Sequence, residues 1–167
     1  MRRSPRSPGS ASSDGPDAFT LALTLLGQRE LSESQLRVRL ARRGCDPDAI
    51  DTALVRLKQD RTLDDARVAR AAARLEAAIR RRGPGRVRQR LQGMGLAPDL
   101  IQQAVTETFA EVDAAALLDD ALGRRLRGRS LSDLDERARA RLVRGLVGQG
   151  FALGTVLKRV KGSRDGD

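Results

Sequence analysis

Residues 83–105 read GPGRVRQRLQGMGLAPDLIQQAV, and residues 32–54 read SESQLRVRLARRGCDPDAIDTAL. Set at a constant offset of 51, the two stretches pair Leu36 with Val87, Leu40 with Leu91, Gly44 with Gly95 and Cys45 with Leu96. They go on to pair Pro47 with Pro98, Ile50 with Ile101 and Leu54 with Val105. Each stretch reads as two short helices. Apolar residues four apart mark the first helix, and a glycine suited to a helix C-terminus stops it. A proline suited to the first helical position opens the next. A chance helical pattern can mimic a few of these matches. It does not reproduce glycine, proline and apolar positions in one order.

Outward from this core the same unit completes itself. Asp17 is placed to N-cap a helix through Leu26, with Phe19, Ala22, Leu23 and Leu26 on one face. Ser32, with Gln35 three positions later, gives a capping-box start to the second helix. In the second copy a long helix is expected from Asp64 to about Arg82, packing through Val68, Ala72, Leu75 and Ile79. A weaker third copy carries Leu142, Leu146, Gly150, Phe151, Val156 and Val160, at an offset of 55 from the second. Its first helix is expected over residues 112–126, and Ser132 and Asp133 are placed to cap its second. β-branched residues are sparse and no strict alternation appears. The fold expected is therefore all-α: three tandem three-helix repeats in an elongated array. The boundaries follow as a disordered basic tail over 1–16, repeats over 17–60, 61–110 and 111–162, and a disordered C-terminus over 163–167.

Composition narrows the function. Lysine and arginine total 32 against 22 acids, a net charge of +10 that favours an anionic macromolecular partner. The cations are almost all arginine, which suits bidentate contact to phosphate and carboxylate, although GC-rich codon usage produces the same bias. Histidine is absent, which removes the commonest general acid–base and metal ligand. A single cysteine, Cys45, supports neither an internal disulfide nor a cysteine-based zinc site, and its repeat equivalents Leu96 and Phe151 mark it as a small buried side chain. The expected home is a reducing, cytoplasmic compartment, and no apolar run suggests a membrane span. No set of residues converges on nucleophile, base and anion hole, so neither an enzyme nor a cofactor is expected.

The densest charge lies between Arg67 and Arg90, where nine arginines face one acid, Glu76. On an ideal helix Arg67, Arg70, Arg74 and Arg81 fall within an arc of about 60°. Arg82 lies in the connection, and Arg86 and Arg90 follow at a spacing of four on the next helix. These seven arginines form the candidate anion-binding ridge; the competing reading is a solvated face paired to acids elsewhere. Arg82-Gly83-Pro84-Gly85-Arg86 lacks the strand and the Lys-Ser/Thr of a nucleotide-binding loop, yet can offer backbone N–H groups to an anion at a helix start. Asp64 and Asp65 read as N-caps. No aromatic lies in the segment for base stacking, so direct DNA binding should be electrostatic and weakly sequence-specific.

Leu63-Asp64-Asp65-Ala66-Arg67-Val68-Ala69, the run from Arg82-Gly83-Pro84 to Leu91, and the helix endings at Gly44, Gly95 and Gly150-Phe151 together resemble the RecX family, bacterial modulators of the RecA recombinase. The resemblance covers about Asp17 to Lys161. It implies a curved array of three-helix repeats lying along a RecA–ssDNA filament, without catalytic site or cofactor. It further implies inhibition of RecA's ATPase, strand exchange and co-protease activities, and hence a role in recombination, DNA repair and the SOS response. The partner expected is RecA on single-stranded DNA, with weak direct DNA contact, no membrane, and a monomeric chain. The alternative is a direct, weakly sequence-specific DNA-binding protein. The chain departs from the family at Val68, where phenylalanine is usual, and at Ala71, Ala72 and Ala73, which replace aromatics.

Overall fold

The computed structural model describes residues 17–162, and all regular structure in that span is helical. The tails expected over 1–16 and 163–167 lie outside the described residues. The helices are α1 (Ala18–Gln28), α2 (Glu33–Ala41), α3 (Pro47–Gln59), α4 (Asp65–Arg74), α5 (Pro84–Gln92), α6 (Pro98–Glu111), α7 (Ala114–Leu126), α8 (Glu136–Gly148) and α9 (Leu153–Gly162). A π-helical turn, Leu75–Ile79, continues α4. They form three successive triplets, α1–α3, α4–α6 and α7–α9. Among the described residues, five helices start on an aspartate whose carboxylate accepts backbone N–H groups of the first turn: Asp17, Asp46, Asp64, Asp113 and Asp135.

The chain divides into two compact units. One runs to Leu31 and resumes over Gln35–Leu63; the other takes Ser32–Ser34 together with the chain from Asp64 onward. In the first, Leu36 and Leu40 of α2 pack with Ile50, Leu54 and Leu57 of α3, and Cys45 closes the same core. The α1 face differs from the expected one. Ala18, Ala22 and Leu25 are buried, while Leu23 is 41% exposed and Phe19 and Leu26 sit at the margin. Phe19 instead lies under the Arg56 guanidinium, 4.0 Å from its ring centroid, a cation–π contact at the edge of the core. The small side chains Ala18 and Ala22 face the core, which permits close approach of α3.

The second unit has two apolar clusters that share Phe109 and Val112. One gathers α4, α5 and α6 around Val87, Leu91, Ile101 and Val105; the other gathers α7, α8 and α9 around Leu118, Leu146, Phe151 and Val156. The glycine endings behave as the repeat requires. Gly44, Gly95 and Gly150 all take positive φ (80°, 72° and 96°), the left-handed conformation that L side chains disfavour.

The α4 helix corrects two expectations. It does not run as one α-helix to Arg82, and of its expected packing face Val68 is buried and Ala72 packs at the margin of the core, while Leu75 and Ile79 do not. Beyond Arg74 the ladder widens: the Arg80 N–H bonds the Leu75 carbonyl, five residues back. A wider turn advances fewer degrees per residue. Leu75, where the turn begins, and Ile79, where it ends, stand in solvent (46% and 73% exposed), while Glu76 and Ala77 continue the inward face of Ala69 and Ala73. In the third triplet, Ser132 and Asp133 do not cap α8. Leu134 must first enter the core, so the helix begins two residues beyond it, at Glu136, and Asp135 caps it by accepting the Ala138 N–H at 2.6 Å. Asp133 closes the preceding turn by accepting the Ser130 N–H at 2.9 Å.

Successive turns and helix starts in the second unit lock by backbone contact. The Gly83 N–H donates to the Gln149 carbonyl and the Gly85 N–H to the Gly150 carbonyl, both at 2.9 Å. A Cβ on Gly83 would sit 2.6 Å from the Gly150 carbonyl carbon, so only glycine fits. Gly95 packs instead against the Ser34 side chain, and the Ser32 hydroxyl donates to the Met94 carbonyl.

Candidate functional site

The double aspartate before α4 sets the start of the arginine-rich segment. Asp64 accepts the Arg67 N–H at 2.9 Å, and this bond, ahead of the nearby arginine charges, holds its carboxyl below the usual range. Asp65 accepts the Glu33 N–H at 2.8 Å and so ties Ser32–Ser34 to the second unit. Both aspartates therefore cap helix starts. Among the described residues no group of three or more acids and cysteines could hold a metal ion.

The seven ridge arginines do not form one continuous stripe. Arg67 and Arg70 are half-buried on α4. Arg74 is exposed but forks onto the Glu111 carboxylate, at 3.2 and 3.4 Å, and Arg81 pairs with Asp120. The scarcity of acids in the local sequence is thus offset by Glu111 of α6 and Asp120 of α7, brought in by the fold. Exposed pairs of this kind contribute only about 0–1 kcal/mol to stability, but each shields its arginine from an outside anion. Arg81 also ends the π turn in the left-handed conformation (φ 53°), which removes it from the helical arc assumed for it.

Arg82, Arg86 and Arg90 do come together, joined by Arg80. With Gln89, Gly93 and Glu76 they line an open cleft of about 570 Å³ beside the π turn. Glu76 forms its buried base, 4% exposed. Its Oε1 accepts from Arg80 at 2.7 Å and lies 3.7 Å from Arg90 Nε. Both guanidiniums remain half-exposed (53% and 52%), so Glu76 fixes their bases while their outer edges face the cleft. Arg86 bonds Gln89 Oε1 at 2.6 Å, and Arg82 has no carboxylate partner among the described residues. Four guanidiniums about one carboxylate leave a strongly positive concavity, and the donor forks suit phosphate or carboxylate oxygens.

The backbone N–H groups of the Gly83–Arg86 start do not contribute to it. Gly83 and Gly85 donate to Gln149 and Gly150, and Arg86 donates to the Gly83 carbonyl at 3.1 Å. The expectation that this loop offers them to an anion is corrected: the α8–α9 turn occupies those of Gly83 and Gly85, and the Gly83 carbonyl takes that of Arg86. Arg80 is not among the residues expected from the sequence, because an uninterrupted helix places it about 110° from the ridge; its i,i+4 spacing from Glu76, the one acid in the segment, was the available signal.

Comparison with known proteins agrees with this architecture. Sequence models of the first and second three-helix domains of RecX match residues 18–57 and 64–105. The chain is 36% identical over 137 residues to the regulatory protein RecX of Syntrophotalea carbinolica, covering 81% of this chain and 89% of that protein. It is 36% identical to a RecX of Thermus thermophilus, covering 86% and 90%. Two solved structures share the fold. One is a regulatory protein RecX (TM-score 0.74, 24% identity, 86% of this chain and 70% of that one). The other is RecX from Lactobacillus salivarius (TM-score 0.70, 15% identity, 86% and 94%). The helical fold is shared with these solved structures, two of its three-helix domains match the family models, and the chain belongs to the RecX family of regulatory proteins.

Proposed function

We propose that this chain binds the RecA–DNA filament and inhibits the ATPase, strand-exchange and co-protease activities of RecA, so modulating recombination and repair. The observation that carries the reading, joined to membership of the RecX family, is the Arg80, Arg82, Arg86 and Arg90 cleft. Its chemistry selects an anionic surface and holds no set of groups for catalysis. A filament presents DNA phosphates and protein carboxylates side by side, and arginine forks donate to both. In this reading the protein works in the cytoplasm as a monomer and needs no cofactor. Arg82, Arg86 and Arg90 make the principal contacts; Arg67, Arg70, Arg74 and Arg81 act at the margin of the same face.

The test is fluorescence anisotropy of a labelled oligothymidylate, bare and coated with RecA in the presence of a slowly hydrolysed ATP analogue. Binding to the coated strand should be tighter by about tenfold or more, a difference of about 1.4 kcal/mol. Equal affinity for both would replace this reading with direct, weakly specific DNA binding.

A further inference from the structure

The third triplet carries a second arginine cluster of different chemistry. Helix α7 ends on Arg127 and Gly128, both left-handed (φ 51° and 83°), and the reversal folds Arg129 back toward Arg141 of α8. Arg127, Arg129 and Arg141 rim an open cleft of about 380 Å³. All three are exposed, and none has a carboxylate partner among the described residues. Their neighbours on the rim are committed: Arg124 lies 3.9 Å from Asp120, and Arg125 donates to the Gly145 carbonyl at 3.1 Å.

The lining beneath the rim is aliphatic. It consists of half-buried Leu126 and Ala138 over Leu134 and Leu142, which are almost wholly buried at 8% and 7% exposure. The volume falls in the range of ligand-binding clefts, about 300–1,000 Å³. Three unneutralised guanidiniums over a leucine floor select a ligand that is both anionic and apolar. A nucleic acid backbone offers charge without an aliphatic group, and its bases stack on aromatics, of which the cleft has none. A peptide in which aspartates or glutamates flank a leucine-like side chain supplies both features: carboxylates for the bidentate forks and an apolar group for the floor.

We infer that the α7–α8 cleft is a docking site for an acidic protein segment bearing a large aliphatic residue. The site is separate from the Arg80–Arg90 cleft and does not depend on the function proposed for it.

The probe is a short fluorescein-labelled peptide with one leucine flanked by aspartates, followed by anisotropy on the full chain. The Arg129→Glu/Arg141→Glu variant, with helicity checked by circular dichroism, should bind it about tenfold or more weakly. The Arg82→Glu/Arg86→Glu variant should bind it as the unaltered chain does. Replacing the peptide's leucine with alanine should weaken binding about tenfold, the effect of withdrawing one buried leucine side chain. Equal binding of the leucine and alanine peptides would overturn the inference, because the cleft would then be a plain anion attractor. So would full displacement of the peptide by oligothymidylate at equal charge, or equal losses from the two protein variants.

Discussion

Replacing Gly150 with alanine is expected to destabilise the protein by about 3 kcal/mol or more, read as a lowered midpoint in urea denaturation followed by circular dichroism. Two independent costs add. The residue sits at φ 96°, where a Cβ clashes with its own backbone. That Cβ would also lie 2.6 Å from the Cβ of Arg86 and 2.8 Å from the Gly83 carbonyl oxygen. Nothing flexible can yield, because most of the opposing atoms are backbone fixed by the Gly83–Gln149 and Gly85–Gly150 hydrogen bonds. Gly148→Ala, two residues earlier, is the control. No atom lies within 4 Å of its added Cβ, and within a helix the change should stabilise by about 0.5–1 kcal/mol. Similar stability for the two variants would mean that the turn does not lock onto the start of α5.

The second large effect concerns binding. Arg82→Glu/Arg86→Glu should weaken filament binding by about tenfold to a hundredfold, and lower the log–log salt slope by about 2, one for each phosphate that is no longer neutralised. Neither side chain neutralises a buried acid, so helicity should be unchanged. Arg90 is a poorer choice for reversal, because it stands 3.7 Å from buried Glu76 and a second carboxylate there would destabilise the helix. Arg74→Gln/Arg81→Gln should have a smaller effect, since those arginines already spend their charge on Glu111 and Asp120. Losses of equal size from both variants would return the continuous ridge to consideration.

Much of the fold was legible in the repeat. Gly44, Gly95 and Gly150 align because each must enter the left-handed region, and Pro47 and Pro98 align because each opens a helix. Leu142, Leu146, Phe151, Val156 and Val160 all proved buried, so even the weaker third copy was readable from its apolar spacing. The π turn was not. One widened turn leaves no mark in residue type, yet beyond it the helical arc that grouped Arg81 with Arg67, Arg70 and Arg74 no longer holds. The pairing of Arg74 and Arg81 was equally hidden, because Glu111 and Asp120 lie 37 and 39 residues away in the chain. The second arginine cleft escaped for a related reason. Asp133, Asp135 and Glu136 dilute the local charge count, while the fold brings Arg141 to one cleft with Arg127 and Arg129 that none of those acids lines.

The central claim is that the chain acts on a RecA filament and not on DNA alone. The most direct test is ssDNA-dependent ATP hydrolysis by the cognate RecA, titrated with this protein, with binding to the naked strand measured under the same salt. Inhibition is expected at protein concentrations too low to coat the DNA. Inhibition that begins only when the strand is saturated, or no inhibition at all, would contradict it.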